Sequence, residues 1–161
     1  MNSDQGSLIM LIGLPGSGKS TWARQFIEQQ PNYRLIATDD VRYQLYGDEA
    51  VQGEWLHIWR TVLGQLKAAR AAISAGQLTG VIYDATNARR RHRREFIQAA
   101  KDCGYPSIHA LWLDTALAVC LARNQMRTRR VPTAIIEKMH RQLTAAPPSE
   151  AEGFASLKKI A

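Results

Sequence analysis

The chain contains 161 residues, of which 45% are hydrophobic and 22% are charged. This balance is typical of a globular protein and excludes a wholly disordered chain. The apolar runs are shorter than the roughly 18 residues of a membrane-spanning helix, so no membrane association is expected. The length fits one domain, residues 1–161, and two cysteines are too few for a disulfide scaffold, which favours a cytoplasmic location.

The net charge of +7 is distributed unevenly along the chain. Residues 1–83 carry seven basic and seven acidic side chains, whereas residues 84–161 carry fourteen basic and seven acidic ones. A basic half of this kind favours a polyanionic partner or substrate. A basic surface that serves only solubility would have the same composition, so the charge alone leaves both interpretations open.

Apolar runs alternate with amphipathic stretches along the chain. The predicted strands lie at residues 8–12, 34–37, 80–84 and 108–113, with a weaker one at 156–160. The predicted helices lie at residues 19–30, 39–46, 54–75, 90–102, 115–125 and 132–143. Thr115 is expected to cap the helix that it begins, and Pro132 to lie in the first turn of the next.

This alternation predicts an α/β fold with a parallel sheet of four to five strands and helices on both faces. The core is expected at residues 7–143, followed by a C-terminal tail, residues 144–161, that contains the weaker last strand. The long helix should turn one apolar stripe towards the sheet, formed by Leu56, Trp59, Leu63, Leu66 and Ile73. Ligands of such sheets bind beyond the carboxyl ends of the strands, where three of the four ends carry notable chemistry.

The first of these ends carries the pattern G-x-x-x-x-G-K-[ST], from Gly13 to Ser20, between a predicted strand and a predicted helix. This is the context of a phosphate-binding loop, in which backbone N–H groups surround the phosphates of a nucleotide. Lys19 would supply a positive charge to the β- and γ-phosphates, and the Ser20 hydroxyl would bind Mg²⁺. The residues expected to contact ATP here are Gly13, Pro15, Gly16, Ser17, Gly18, Lys19, Ser20 and Thr21.

The second strand ends at Thr38-Asp39-Asp40-Val41-Arg42. A kinase needs a carboxylate that orients the attacking hydroxyl and accepts its proton, and Asp39 is placed for that role beside the phosphate loop. A helix N-cap is the alternative for the same position. Arg42 shares a helical face with Asp39 and could hold a substrate phosphate, or it could be a solvated surface arginine.

The third strand ends at Asp84, and Asn87 follows it. A carboxylate at a strand end is typical of a site near Mg²⁺ or its water shell, although it could also begin a loop. Asn87 could bind the substrate or cap the next helix. The aromatic residues near the second strand, Tyr43, Tyr46, Trp55 and Trp59, could stack on an unpaired base, but packing in the core is the favoured interpretation.

Two arginine-rich segments follow in the basic half of the chain. The first, residues 89–94, could track a phosphate backbone or form a solvated helix face with some arginines paired to acids. The second, residues 123–130, could form a lid that brings arginines onto the transferring phosphoryl group, or a basic surface turn. Within it, Arg123 could pack on the adenine or serve only the fold.

The ordered set of motifs resembles the 5′-polynucleotide kinases of bacteriophage and bacteria, a group of AAA-type ATP-binding proteins. The residues that carry the resemblance are Gly13 to Ile27, Asp39-Asp40-x-Arg42, Thr86-Asn87, and Arg123-Asn124-x-x-Arg127 before Val131-Pro132. It implies a P-loop fold in which Asp39 is the general base, Arg42 binds the substrate phosphate and Arg127 is the lid arginine. The sequence departs from this pattern at Asp84-Ala85-Thr86-Asn87, with one residue between the acid and Thr-Asn, and in a lid that is one residue shorter.

The sequence therefore predicts a kinase that uses ATP and Mg²⁺ to phosphorylate a hydroxyl, with the 5′-hydroxyl of a polynucleotide or nucleotide as the favoured acceptor. A metabolite kinase on the same fold and an ATP-binding module without transfer remain alternatives. Asp39 with Arg127 favours an enzyme, and the basic half favours a polyanionic acceptor. The oligomeric state has no signature in the sequence.

Overall fold

The computed structural model describes residues 6–47 and 54–161. Its elements follow the predicted order: β1 (Ser7–Ile12), α1 (Lys19–Gln29), β2 (Tyr33–Ala37), α2 (Thr38–Tyr46), α3 (Trp55–Ser74), β3 (Gly80–Asp84), α4 (Arg90–Asp102), β4 (Ser107–Leu113), α5 (Leu117–Gln125), α6 (Thr133–Ala145), a short 3-10 helix (Glu150–Glu152) and β5 (Ser156–Ile160). In this part of the chain, none of the helices combines the length and the apolar character needed to cross a membrane.

The five strands form one parallel sheet in the order β2-β3-β1-β4-β5. The predicted α/β class is confirmed, and the weaker last strand forms at the sheet edge beside β4. Asp84 at the end of β3 pairs in register with Leu11 of β1 and with Ala37 of β2. The residues that follow these three strands therefore emerge at the same edge of the sheet.

The central strand β1 is buried on both faces, which explains its continuous apolar sequence. Leu8, Met10 and Ile12 face a cluster that includes the buried side of α3 and α4, whereas Leu11 faces a second cluster with Ala23 of α1. Because β1 leads directly into the phosphate loop, this two-sided packing fixes the position of that loop.

The buried face of α3 differs from the predicted stripe. Its fully or nearly fully buried residues are Ile58, Val62, Leu66, Ala69 and Ile73. The prediction was right for Leu66 and Ile73, but Leu56 is 53% exposed. The predicted stripe and the observed buried face are both apolar in sequence, so the sequence alone does not decide which of them packs against the sheet.

Thr115 does not cap α5, whose first residue is Leu117 and whose N-cap is Ala116. Its Oγ1 instead donates a hydrogen bond of 2.9 Å to the Ser17 carbonyl. The predicted cap is therefore wrong, and the hydroxyl links the end of β4 to the phosphate loop.

Candidate active site

The phosphate loop joins β1 to α1 in a conformation that requires glycine. Gly16 and Gly18 have φ angles of 84° and 100°, in the left-handed region. A Cβ at Gly16 would lie 2.8 Å from the Cys120 carbonyl oxygen. The loop therefore packs closely against α5, and its backbone can also approach a phosphate closely.

The neighbouring strand ends hold this loop from outside. The Gly13 amide donates to the Thr86 carbonyl at 3.1 Å. Asn87 Nδ2 donates to the Leu11 carbonyl at 2.7 Å, and the φ of Asn87, 50°, is the only positive value at a non-glycine residue in the described parts of the chain. These bonds fix the loop between β1 and β3.

Asn87 was predicted either to cap the next helix or to bind the substrate, and its position bears on both predictions. The N-cap of α4 is Arg89, so the helix-cap interpretation of Asn87 is wrong. The Asn87 side chain lines the cleft, but its NH₂ group bonds to backbone carbonyls, including that of Ala85 at 3.3 Å. A contact with substrate stays a prediction for this residue.

Lys19 is the first residue of α1 and is buried beneath the loop. Its Nζ donates to the Leu14 carbonyl at 3.0 Å. Burial lowers the pKa of Lys19 from its ordinary value, and the carboxylates of Asp84 and Asp39 oppose that shift. Lys19, Asp84 and Asp39 are therefore close enough to interact electrostatically within the site.

Ser20 and Asp84 come together at the loop, as expected for a metal-binding position. The Ser20 hydroxyl donates to Asp84 Oδ2 at 2.9 Å. Burial raises the pKa of Asp84, whereas Lys19 and the Ser20 hydrogen bond act in the opposite direction. Asp84 was predicted among the substrate-binding residues, and the structure places it beside the proposed metal ligand.

Asp39 lies in the first turn of α2, but the N-cap of that helix is Ala37. The N-cap interpretation of Asp39 is therefore wrong. Its Oδ1 instead accepts a hydrogen bond of 3.1 Å from Arg42 Nη1 and one of 3.4 Å from Arg129 Nη2. Arg129 is a residue that the sequence analysis did not single out from its arginine-rich segment.

The other predicted arginines of that segment also face the loop. Arg123 Nη1 donates to the Gly16 carbonyl at 3.1 Å. Arg127 is exposed, lines the same cleft and lies close enough to Lys19 to contribute to its lowered pKa. Asn124 fixes the base of the segment, because its side chain donates to the Val131 carbonyl at 2.7 Å and accepts from the Val131 amide at 3.0 Å.

The first arginine-rich segment is split between two roles. Arg93 is fully buried and bonds Glu152 Oε1 through Nε and Nη2, both at 2.9 Å. Its remaining donors reach the carbonyls of Asn87, Ala88 and Ala146. Arg93 therefore cannot track a phosphate backbone, and Arg91 pairs with Glu95 at 2.8 Å on the surface.

A single cleft of about 1350 Å³ connects these groups. The predicted residues that line it are Pro15, Gly16, Gly18, Lys19, Ser20, Thr21, Asp39, Arg42, Asp84, Asn87, Arg123 and Arg127. The two other predicted residues, Gly13 and Ser17, are buried within the phosphate loop and are not among the residues that line the cleft. The cleft is also lined by aromatic rings, among them Trp55 and Trp59.

The loop fits nucleotide phosphates with Mg²⁺. Gly18, the N-cap of α1, provides no side-chain cap, so the first-turn N–H groups of α1 remain available to phosphate oxygens. Ser17 Oγ is buried without a hydrogen-bond partner among the described residues. Ser20 and Asp84 are the groups that would hold the metal ion, which neutralises phosphate charge when bound.

The five-stranded parallel sheet and this loop define a P-loop fold of the kinase type. The chain belongs to the family described as AAA domain, which it matches over residues 8–146. The resemblance to P-loop kinases that the motifs indicated is thereby confirmed.

Individual relatives agree with this assignment. The chain is 26% identical over 137 residues to the L-seryl-tRNA(Sec) kinase of Methanococcus maripaludis, covering 83% of this chain and 51% of that protein. It is similar to a chain in the structure of the Pnkp1/Rnl/Hen1 RNA repair complex, with 26% identity and a TM-score of 0.70 over 86% of this chain and 44% of that one. Kti12 of Chaetomium thermophilum, solved with ADP-AlF3, shares the fold at 19% identity and a TM-score of 0.67, over 96% of this chain and 88% of that one. The chain thus spans about half the length of that tRNA kinase.

Proposed function

We propose that this protein is a phosphotransferase that moves the γ-phosphoryl group of ATP to a hydroxyl, and that the acceptor is the 5′-hydroxyl of a polynucleotide or nucleotide. The observation that carries the proposal is the cleft itself, which joins the Asp39 carboxylate to the phosphate loop with Lys19 and the Ser20–Asp84 pair. A module that only binds a nucleotide would need the phosphate loop, but it would not need the Asp39 carboxylate that Arg42 and Arg129 hold.

Each residue has a definite task in this reaction. Asp39 accepts the proton of the acceptor hydroxyl while the acceptor oxygen bonds to the γ-phosphorus and the bridging bond to the β-phosphate breaks, which releases ADP. Lys19 and Arg127 offset the negative charge of the transferring group, whose charge is spread over its outer oxygens. Arg42 holds a phosphate of the acceptor, and Arg123 borders the nucleotide at Gly16.

The charge pattern supports a polyanionic acceptor. Arg89, Arg127 and Arg129 line the cleft, and all of the excess positive charge belongs to residues 84–161. Two of the similar proteins, each 26% identical, are an L-seryl-tRNA(Sec) kinase and a chain of an RNA repair complex, which favours an RNA-related acceptor. The free thiols of Cys103 and Cys120 suit a reducing cytoplasm.

The experiment that tests the proposal follows label from γ-labelled ATP into a panel of acceptors: 5′-hydroxyl RNA and DNA oligonucleotides, nucleosides, nucleoside 3′-phosphates and sugars. Oligonucleotides that already carry a 5′-phosphate are the matched blocked acceptors. Transfer to 5′-hydroxyl ends alone supports the proposal. Transfer to sugars without transfer to any nucleic-acid acceptor would replace it with a metabolite kinase, and ATP binding without any transfer would reduce it to a binding module.

A further inference from the structure

An aromatic surface lines part of the cleft that also contains Asp39. The indole of Trp55 lies nearly parallel to the imidazole of His92, with ring centroids 5.7 Å apart and an interplanar angle of 17°. It also lies nearly parallel to Trp59, at 6.2 Å and 20°. Trp55 nevertheless remains 41% exposed, so much of its ring surface is uncovered.

The rings behind this surface are fixed by the core. Trp59 meets Phe96 edge to face at 6.1 Å, and Phe96 stacks on Tyr83 at 3.9 Å. Phe96 and Tyr83 are almost completely buried, and Tyr83 belongs to strand β3. An aromatic surface that is held in place in this way loses little conformational entropy when a planar ligand binds.

The surface belongs to the same cleft as the proposed base. Trp55 and His92 line it together with Asp39 and Arg42. Ligand pockets usually measure roughly 300–1,000 Å³. The volume of about 1350 Å³ exceeds this range, as expected for a cleft that takes part of a second ligand beside the nucleotide.

The chemistry of the surface selects a planar, uncharged group. Burial lowers the pKa of His92 from its ordinary value, and Arg89 and Arg91 lower it further, against the opposing effect of Glu95. Deprotonation of the imidazole is therefore favoured, and the neutral ring presents an aromatic face. Arg42, which lines the same cleft, is suited to a phosphate.

We propose that the Trp55–His92 surface binds the nucleobase that follows the 5′-hydroxyl of the acceptor, by stacking on the exposed part of the Trp55 ring. This inference rests on the proposed function and narrows it, because it assigns the acceptor a base at its 5′-terminal nucleotide. Stacking on an aromatic side chain tolerates any base, so the site distinguishes a nucleotide from a sugar without selecting a sequence.

The test compares two 5′-hydroxyl oligonucleotides that differ only in their first nucleotide, which carries a base in one and is abasic in the other. With ATP saturating, we expect the KM of the abasic oligonucleotide to be roughly 5- to 100-fold higher, with kcat little changed. Trp55→Leu should bring the two KM values together, and Trp55→Phe should preserve most of the difference. Tyr43→Leu is the matched control, because Tyr43 is 62% exposed and lies outside the cleft lining.

The outcomes separate this inference from the proposed function. Transfer to both oligonucleotides with equal KM, by wild type, would overturn the stacking site and leave the phosphotransferase intact. A KM difference that Trp55→Leu preserves would place base recognition elsewhere and overturn it as well. Absence of transfer to every nucleic-acid acceptor would overturn both. The wild-type comparison stands by itself if Trp55→Leu fails to fold, which thermal unfolding would reveal.

Discussion

Asp39 Oδ1 lies 3.4 Å from Nη2 of Arg129, a residue ninety positions further along the chain. Arg42 contacts the same oxygen at 3.1 Å, so neither of these contacts uses Oδ2. The second oxygen can therefore accept a hydrogen bond from an acceptor hydroxyl while the two guanidinium groups orient the carboxylate. The pair also joins α2 to the segment between α5 and α6, which carries Arg127 as well.

The first prediction concerns this orientation. Arg129→Gln should lower kcat by about 10- to 100-fold, because a carboxylate that loses a positioning partner spends less time in the productive geometry. Steady-state kinetics with saturating ATP and acceptor measures the effect. Arg130→Gln, which changes the adjacent arginine outside the cleft lining, should leave kcat within about 2-fold of wild type. An equal loss of kcat in both variants would mean that the positive charge of the segment, and not the contact between Arg129 and Asp39, supports the reaction.

The second prediction tests Asp39 as the base. Asp39→Asn preserves the shape of the side chain but removes its ability to accept a proton, so kcat should fall by about 10² to 10⁴-fold. ATP affinity, measured by titration calorimetry, should change little, since the phosphate loop is untouched. The neighbouring exchange Asp40→Asn should retain most of the activity. Near wild-type transfer by Asp39→Asn would place the proton acceptor elsewhere.

The third prediction separates Arg127 from a diffuse positive charge. Arg127→Ala should lower kcat by about 10³-fold, as loss of an arginine finger does in other phosphoryl-transfer enzymes. Arg127→Lys should recover little of this loss, because an ammonium group does not reproduce the planar fork of donors. Rapid-quench measurement of the transfer step distinguishes a slow chemical step from slow product release. Full rescue by lysine would argue against bidentate contact with the phosphoryl group.

The fourth prediction concerns stability. Arg93 and Glu152 form an ion pair in which both side chains are fully buried. Arg93→Gln would leave the buried Glu152 carboxylate with the Ser149 amide at 2.7 Å and the more distant Arg90 Nε at 3.8 Å, and should lower the free energy of unfolding by about 3–5 kcal/mol. Chemical denaturation measures this loss. The exposed neighbour Arg94→Gln should change the free energy of unfolding by less than about 0.5 kcal/mol, and similar losses in both variants would contradict the assignment.

The parts of the site that sequence predicts well are those that depend on nearby residues. The phosphate loop follows from eight consecutive residues, because glycine, lysine and serine at these positions satisfy local backbone and phosphate geometry. The end of β3 was likewise predicted, because its apolar run stops at Asp84. The Ser20–Asp84 hydrogen bond then follows once parallel pairing places both residues at one edge of the sheet.

The parts that sequence did not predict depend on distant partners. Arg93 stands among four other arginines of one segment, and nothing local distinguishes it as the one that is buried. Its partner Glu152 lies 59 residues away, in a short 3-10 helix whose Ser149-x-x-Glu152 capping box indicates a helix start but not the partner of the glutamate. Nothing in the local sequence distinguishes Arg129 from the other arginines of its segment either, because its contact is with Asp39 of α2. Such pairings are set by tertiary packing and not by periodicity.

The last prediction concerns the acceptor and the exposed arginines that remain once Arg93 is assigned to the core. A protein that neutralises the phosphates of a single strand releases counterions, so the logarithm of its affinity falls with that of the salt concentration, by about 0.7 per contact. Arg89 is exposed and lines the cleft, so Arg89→Gln should reduce this slope by about one contact. Lys158→Gln, on the edge strand β5 and outside the cleft lining, should not change it.

The measurement is the affinity for a 5′-hydroxyl oligonucleotide at several salt concentrations, with ATP saturating because nucleotide binding is itself sensitive to salt. A steep slope for wild type, reduced in Arg89→Gln alone, identifies the cleft rim as the region that contacts the phosphate backbone. A slope that is reduced equally by Lys158→Gln would indicate attraction by net charge over the whole surface. An affinity that does not change with salt in any variant would contradict the polynucleotide acceptor, because a small neutral acceptor releases no counterions.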